Sequence, residues 1–143
     1  VYSTMWGSTA TLAASIAEGL SQGGLEVAMH DLAVTPLAHI THDLLEAKAL
    51  VLGSPTLHHG MLYRVAGYLQ YLLGLKPAGR AAAVFGSYGW SKGAEKQMRP
   101  RLEEAGFEII AEDFLVKYRP TPEDLSAAEA WGKAFAETVK ARG

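Results

Sequence analysis

The sequence contains no cysteine. That removes disulfide frameworks, thiolate nucleophiles, Cys-ligated zinc and iron–sulfur clusters from the functions open to this chain. It fits a reducing compartment, and a cytoplasmic location is the expectation. Long apolar runs are missing as well. Ala81–Phe85 is typical of the longest, far short of the ~18–20 residues a membrane-spanning helix needs. No basic segment followed by an apolar stretch is legible at the start, so neither a secretory leader nor a membrane partner is expected. An excess of one charge is also lacking. Thirteen Lys and Arg face fifteen Asp and Glu, a net charge of −2, which gives no electrostatic footprint for nucleic acid.

What is present is the making of one ordinary domain. The 143 residues are 49% hydrophobic and 20% charged, enough to bury a sizeable core. Leu25–His30 alternates apolar and polar residues and reads as a short strand. Ala49–Leu52 and Ala81–Phe85 are continuous apolar runs closed by Gly53 and Gly86, the mark of strands buried on both faces. Phe107–Val116 holds a further strand with a break near Glu112-Asp113. Between these lie helical periods: Leu12, Ile16 and Leu20; Met61, Val65, Tyr68 and Leu72; Leu125, Ala128, Phe135 and Val139. Thr121-Pro122-Glu123 opens the last helix with a cap, a first-turn proline and an acid. Strands alternating with helices predict an α/β fold, a parallel sheet covered by helices on both faces. The first strand is a stub, because Val1-Tyr2 gives way at Ser3 to a polar turn, whereas a central strand usually runs to ~5–6 residues. Trimmed residues of a small protein and a domain within a longer chain both account for the stub.

Three segments at strand ends carry the chemistry. Thr4, Met5, Trp6, Gly7, Ser8 and Thr9 lead into a helix that starts near Ser8. Hydroxyls beside the N–H groups of a helix N-terminus suit an anion. The segment has no lysine for a nucleoside triphosphate and no G-x-G-x-x-G for a dinucleotide; its donors suit a single phosphate monoester. Ser54, Pro55, Thr56, Leu57, His58, His59 and Gly60 follow the Ala49–Leu52 run. Ser87, Tyr88, Gly89, Trp90, Ser91 and Gly93 follow the Ala81–Phe85 run. Ligands of open α/β sheets bind outside the carboxyl ends of the strands, so three such segments describe a site for a phosphorylated planar ligand. Tyr88 and Trp90 could stack on its ring.

Competing motifs are weaker. Gly89-Trp90-Ser91-Lys92-Gly93 has the G-x-S-x-G spacing of a hydrolase nucleophile elbow, but no histidine follows it in the chain. His39 and His42 lack a third metal ligand nearby and read as solvated residues before a short helix. A phosphorelay receiver needs acids where Ser3-Thr4 and Gly53-Ser54 stand.

The hydroxyl segment, Thr4-x-Trp6-Gly7-Ser8-Thr9, resembles the T-x-T-G-x-T phosphate loop of flavodoxins. The strings Thr-Met-Trp-Gly-Ser-Thr, Gly-Ser-Pro-Thr and Phe-Gly-Ser-Tyr-Gly-Trp-Ser, with Tyr118-x-Pro120-x-Pro122-Glu123-Asp124-Leu125, look more specifically like the C-terminal domain of flavodiiron proteins (A-type flavoproteins). The resemblance implies a flavodoxin-like, doubly wound, five-stranded parallel sheet with a truncated first strand. It implies FMN as cofactor, with Thr4–Thr9 on the phosphate and Ser54–Gly60 and Ser87–Gly93 flanking the isoalloxazine. It also implies electron transfer from a rubredoxin-like or flavin reductase donor to a diiron oxygen or nitric oxide reductase site. That site would lie in an upstream domain of a longer chain, and the full-length protein would be a head-to-tail homodimer. No catalytic residue and no metal ligand is expected within these 143 residues. The alternatives are a freestanding flavodoxin shuttle and a flavin-dependent NAD(P)H:quinone or FMN reductase. The chain departs from the family at His58-His59, where two asparagines are expected, and at Lys92, where glycine is common. An imidazole at the ring edge could couple electron uptake to its own protonation.

Overall fold

The computed structural model describes all 143 residues. Its sheet contains β1 (Ala49–Leu57), β2 (Gly60–Met61), β3 (Ala81–Tyr88), β4 (Glu108–Ile109) and β5 (Phe114–Lys117). The helices are α1 (Ser8–Gln22), α2 (Leu37–Glu46), α3 (Tyr63–Leu75), α4 (Ala94–Glu104) and α5 (Pro122–Ala141). β3 is central, and every residue from Ala81 to Ser87 is buried, as a strand covered on both faces must be. Its side chains alternate between two cores. Ala82 and Val84 join Ile40, Leu69, Leu72, Met98 and Leu102 under α2, α3 and α4. Ala83 and Phe85 join Leu12, Ile16, Phe135 and Val139 under α1 and α5. The capping box expected at the last helix is complete: Thr121 Oγ1 accepts from Asp124 N, and Asp124 Oδ2 accepts from Thr121 N. No helix is long and apolar enough to cross a membrane.

The strands run further than their apolar residues. β1 and β3 stay in parallel register from Ala49↔Ala81 to Pro55↔Ser87, so Gly53 and Gly86 are strand interior rather than strand ends. Both positions need glycine for space. A Cβ on Gly53 would stand 2.2 Å from the Phe85 ring, and one on Gly86 would stand 2.2 Å from the Ser54 carbonyl oxygen. β1 then turns back through β2, an antiparallel pair (Thr56↔Met61, Leu57↔Gly60) at the edge of an otherwise parallel sheet. Met61 therefore belongs to this hairpin, and the α3 period starts at Tyr63. β4 and β5 pair with opposite ends of β3 (Ala81↔Glu108, Phe85↔Phe114). They are one broken strand, interrupted as expected before Phe114, where Arg99 Nη1 donates to Asp113 Oδ1 at 2.6 Å. His39 and His42 are exposed on α2 rather than ahead of it.

Leu25–His30 is extended but is not a strand. Tyr2 alone bridges the layer, pairing in parallel with Asp31 on one side and Gly53 on the other. Tyr2 N donates to His30 O, Leu32 N to Tyr2 O, and Gly53 N to Val1 O. Tyr2 gives this side a single bridge, so the alternating pattern forms no ladder. Across Glu26–Asp31 no backbone N–H makes a hydrogen bond within the protein. Glu26–His30 border a trough of about 460 Å³ at the amino-terminal end of β1, with a mostly apolar lining that includes Ile16, Leu20, Leu50 and Phe135. The Val1 amine opens into it, donating to Val51 O at 2.9 Å.

Candidate functional site

The site lies at the opposite, carboxyl end of the sheet. The Thr4–Thr9 segment leaves the short first strand on one side of β1, and the chain ends of β1 and β3 stand beside it. This is the point where the strand order reverses, and it leaves a crevice between diverging connections. The cavity measures about 690 Å³, a volume suited to a small-molecule ligand. Fifteen of the nineteen expected residues line it, from all three segments. The other four stand behind the lining. Gly7 forms a left-handed turn (φ 93°) ahead of α1. Ser54 is fully buried, and its Oγ accepts from Leu62 N at 2.9 Å. Gly60 packs on the Gln97 amide, and a Cβ on Gly93 would come within 2.0 Å of His59 O. Their task is to hold the lining segments together.

The first segment is a cluster of free donors. The N–H groups of Met5, Trp6, Ser8, Thr9 and Ala10 make no hydrogen bond within the protein, whereas Gly7 N donates to Thr4 Oγ1 at 3.1 Å. No side chain caps α1. Thr9 Oγ1 and Ser87 Oγ lie 3.0 Å apart and tie this segment to the end of β3. Ser3 Oγ is fully buried and unpartnered. Orphan donors at the positive end of a helix dipole, with hydroxyls around them and no carboxylate in the cavity lining, form an anion site.

The second segment closes into a two-residue hairpin. His58 (φ 49°) and His59 (φ 65°) both adopt the left-handed conformation, as the central pair of a type I′ turn must. Asn and Gly take that conformation readily; other residues carry a cost of roughly 1–2 kcal/mol each. That requirement makes the His58-His59 pair a costly occupant of this turn. His59 Nδ1 is 2.7 Å from Ser91 Oγ, so the imidazole joins the second segment to the third. In the third segment Trp90 is fully exposed and Trp6, across the cavity, is 86% exposed. Two large rings at the cavity mouth with little protein packed on them suit stacking on a planar ligand.

Sequence reasoning missed a fourth segment. Tyr118 and Arg119, just past β5, also line the cavity. Tyr118 takes φ 62°, and its N–H donates to Tyr88 O at 2.6 Å. The available signal was positional, since the carboxyl end of the strand beside β3 opens on the same crevice.

This geometry has close counterparts. The sequence pattern of the flavodoxin family matches residues 1–132. The chain belongs to the flavodoxin family. FMN is the cofactor that this membership assigns to the site. The free N–H cluster, the hydroxyls and the exposed rings fit its phosphate and its isoalloxazine. Residues similar to this chain also occur inside larger proteins. Over 139 residues it is 37% identical to a nitric oxide reductase of Moorella thermoacetica, covering 96% of this chain and 35% of that protein. The rubredoxin oxygen:oxidoreductase of Desulfovibrio gigas superimposes with a TM-score of 0.92 at 34% identity, covering 98% of this flavodoxin domain and 35% of that chain. A flavodoxin from the domain Archaea superimposes with a TM-score of 0.88 at 28% identity, covering 97% and 95%. The chain thus spans about a third of the length of the curated relatives it matches. It is a flavodoxin-like domain of the kind found in flavodiiron proteins.

Proposed function

We propose that this domain is the FMN-dependent electron-transfer unit of a flavodiiron-type protein, receiving electrons from a small redox protein and passing them to a diiron site outside these residues. The observation that carries the reading is the cluster of unpaired N–H groups of Met5, Trp6, Ser8, Thr9 and Ala10, set in a cavity whose lining also includes the rings of Trp6, Tyr88, Trp90 and Tyr118. FMN would supply the redox chemistry, and the chain's residues would hold and surround it. The Met5–Ala10 amides with the Thr4, Ser8 and Thr9 hydroxyls would bind the phosphate. Thr56–His59 and Ser87–Ser91 would border the ring, with Trp6, Tyr88, Trp90 and Tyr118 as candidates for stacking and for excluding water. The nineteen residues from Thr4 to Gly93 named above are the proposed cofactor set, extended by Tyr118 and Arg119.

The upstream diiron domain, the rubredoxin-like or flavin reductase donor, the homodimer and the cytoplasmic location belong to the same proposal. It is supported by relatives of which this chain covers 35%.

A freestanding shuttle is the second reading, favoured by the archaeal flavodoxin that matches over 95% of its own length. Stopped-flow mixing of the FMN-loaded domain with reduced rubredoxin, and separately with NADH, tests the role. Rapid reduction by rubredoxin and none by NADH is expected. Direct reduction by NADH would overturn it in favour of an NAD(P)H-dependent reductase.

A further inference from the structure

The net charge of −2 conceals a local imbalance at the cavity. None of its seventeen lining residues is a carboxylate, and one, Arg119, is a permanent cation. Two more cations sit on lining rings. Lys92 Nζ lies over Tyr88, 5.3 Å from the ring centroid, and Lys117 Nζ lies over Tyr118 at 5.1 Å. Such contacts hold an ammonium beside a cavity wall rather than leaving it to sweep through solvent. Two of the carboxylates nearest in sequence point at backbone. Glu95 Oε2 accepts from Gly93 N and Asp124 Oδ2 from Thr121 N; Glu123 lies on the exposed first turn of α5. Lys92, Lys117 and Arg119 are all exposed, with no acid paired to any of them.

We propose that Lys92, Lys117 and Arg119 form a cationic collar around the ring end of the cavity that makes the site prefer the reduced flavin over the oxidised one. The proposal rests on the FMN reading above. Uptake of two electrons and one proton leaves the isoalloxazine with one negative charge, so a site of positive potential binds that form more tightly than the neutral oxidised ring. By linkage, the ratio of the two dissociation constants sets the shift in potential, and a tenfold ratio corresponds to about 30 mV for a two-electron couple. The phosphate is anionic in both forms and cancels from the ratio. The phosphate cradle fixes affinity, and the collar fixes which redox form is favoured.

The test is an anaerobic titration of the FMN-free chain with oxidised FMN and with dithionite-reduced FMN, repeated with riboflavin in both forms. Wild type is compared with Lys92→Gln, Lys117→Gln, Arg119→Gln and the triple variant, at low and high salt. Each neutralisation is expected to weaken reduced against oxidised binding by about three- to tenfold at low salt. The triple variant should show the largest change, riboflavin should show the same change, and high salt should shrink it. Lys92→Arg and Lys117→Arg should retain the wild-type ratio. Equal weakening of both FMN forms would overturn the collar, because the cations would then act on the phosphate. An unchanged ratio in the triple variant would overturn it as well. Failure of wild type to bind either form would instead break the FMN reading.

Discussion

Two stretches of backbone in this domain leave a row of N–H groups without partners, and they flank the same short first strand. At Met5–Ala10 the donors stand at a helix N-terminus among hydroxyls, at the carboxyl end of the sheet. At Glu26–His30 they border an apolar trough at the other end. Identical backbone groups are thus set to meet different partners, and the surroundings decide which. Donors clustered at a helix dipole among hydroxyls suit an anion, whereas donors spaced along an extended segment above leucine and phenylalanine suit another extended backbone.

The largest effect should come from supplying the trough with backbone. Five alternating Val and Thr residues added before Val1 should raise stability by several kcal/mol, given ~1.5–3 kcal/mol per fully buried Val-sized side chain. The same extension should slow amide exchange at Ala28 and His30. No gain in unfolding midpoint would break the comparison, by showing that the trough does not accept a strand.

At the anion cradle, Ser8→Asp should separate stability from binding. A carboxylate in the first turn of α1 should stabilise the helix by ~0.3–1 kcal/mol. The same charge should weaken FMN by about a hundredfold, or ~2.8 kcal/mol, and leave riboflavin nearly unaffected. Thermal unfolding and fluorescence titration read the two outcomes. Ser3→Ala should give the smallest change. Removing a buried hydroxyl without a partner should stabilise the FMN-free chain by about 1 kcal/mol.

The sequence was most informative where the chemistry is local. Thr4–Thr9 can be read as an anion loop because its hydroxyls, glycine and helix start are neighbours in the chain. Alternation at Leu25–His30 correctly signals extended backbone, but a strand also needs a partner, and only Tyr2 reaches it. Gly53 and Gly86 look like stops, and their true reason is the Phe85 ring and the Ser54 carbonyl packed against them from the adjacent strand. Arg119 joins the cavity through the pairing of β5 with the far end of β3, a long-range fact with no local trace. The collar is hidden for a related reason, since a whole-chain charge of −2 averages over the end of the sheet where Lys92, Lys117 and Arg119 gather.

The most direct test of the central claim is fluorescence titration of the FMN-free chain with oxidised FMN and, in parallel, with riboflavin. Quenching should saturate at one FMN per chain, with riboflavin bound at least tenfold more weakly because the free donors of Met5–Ala10 then have no phosphate to meet. Equal affinities, or FMN emission identical to that of the free flavin, would contradict the claim.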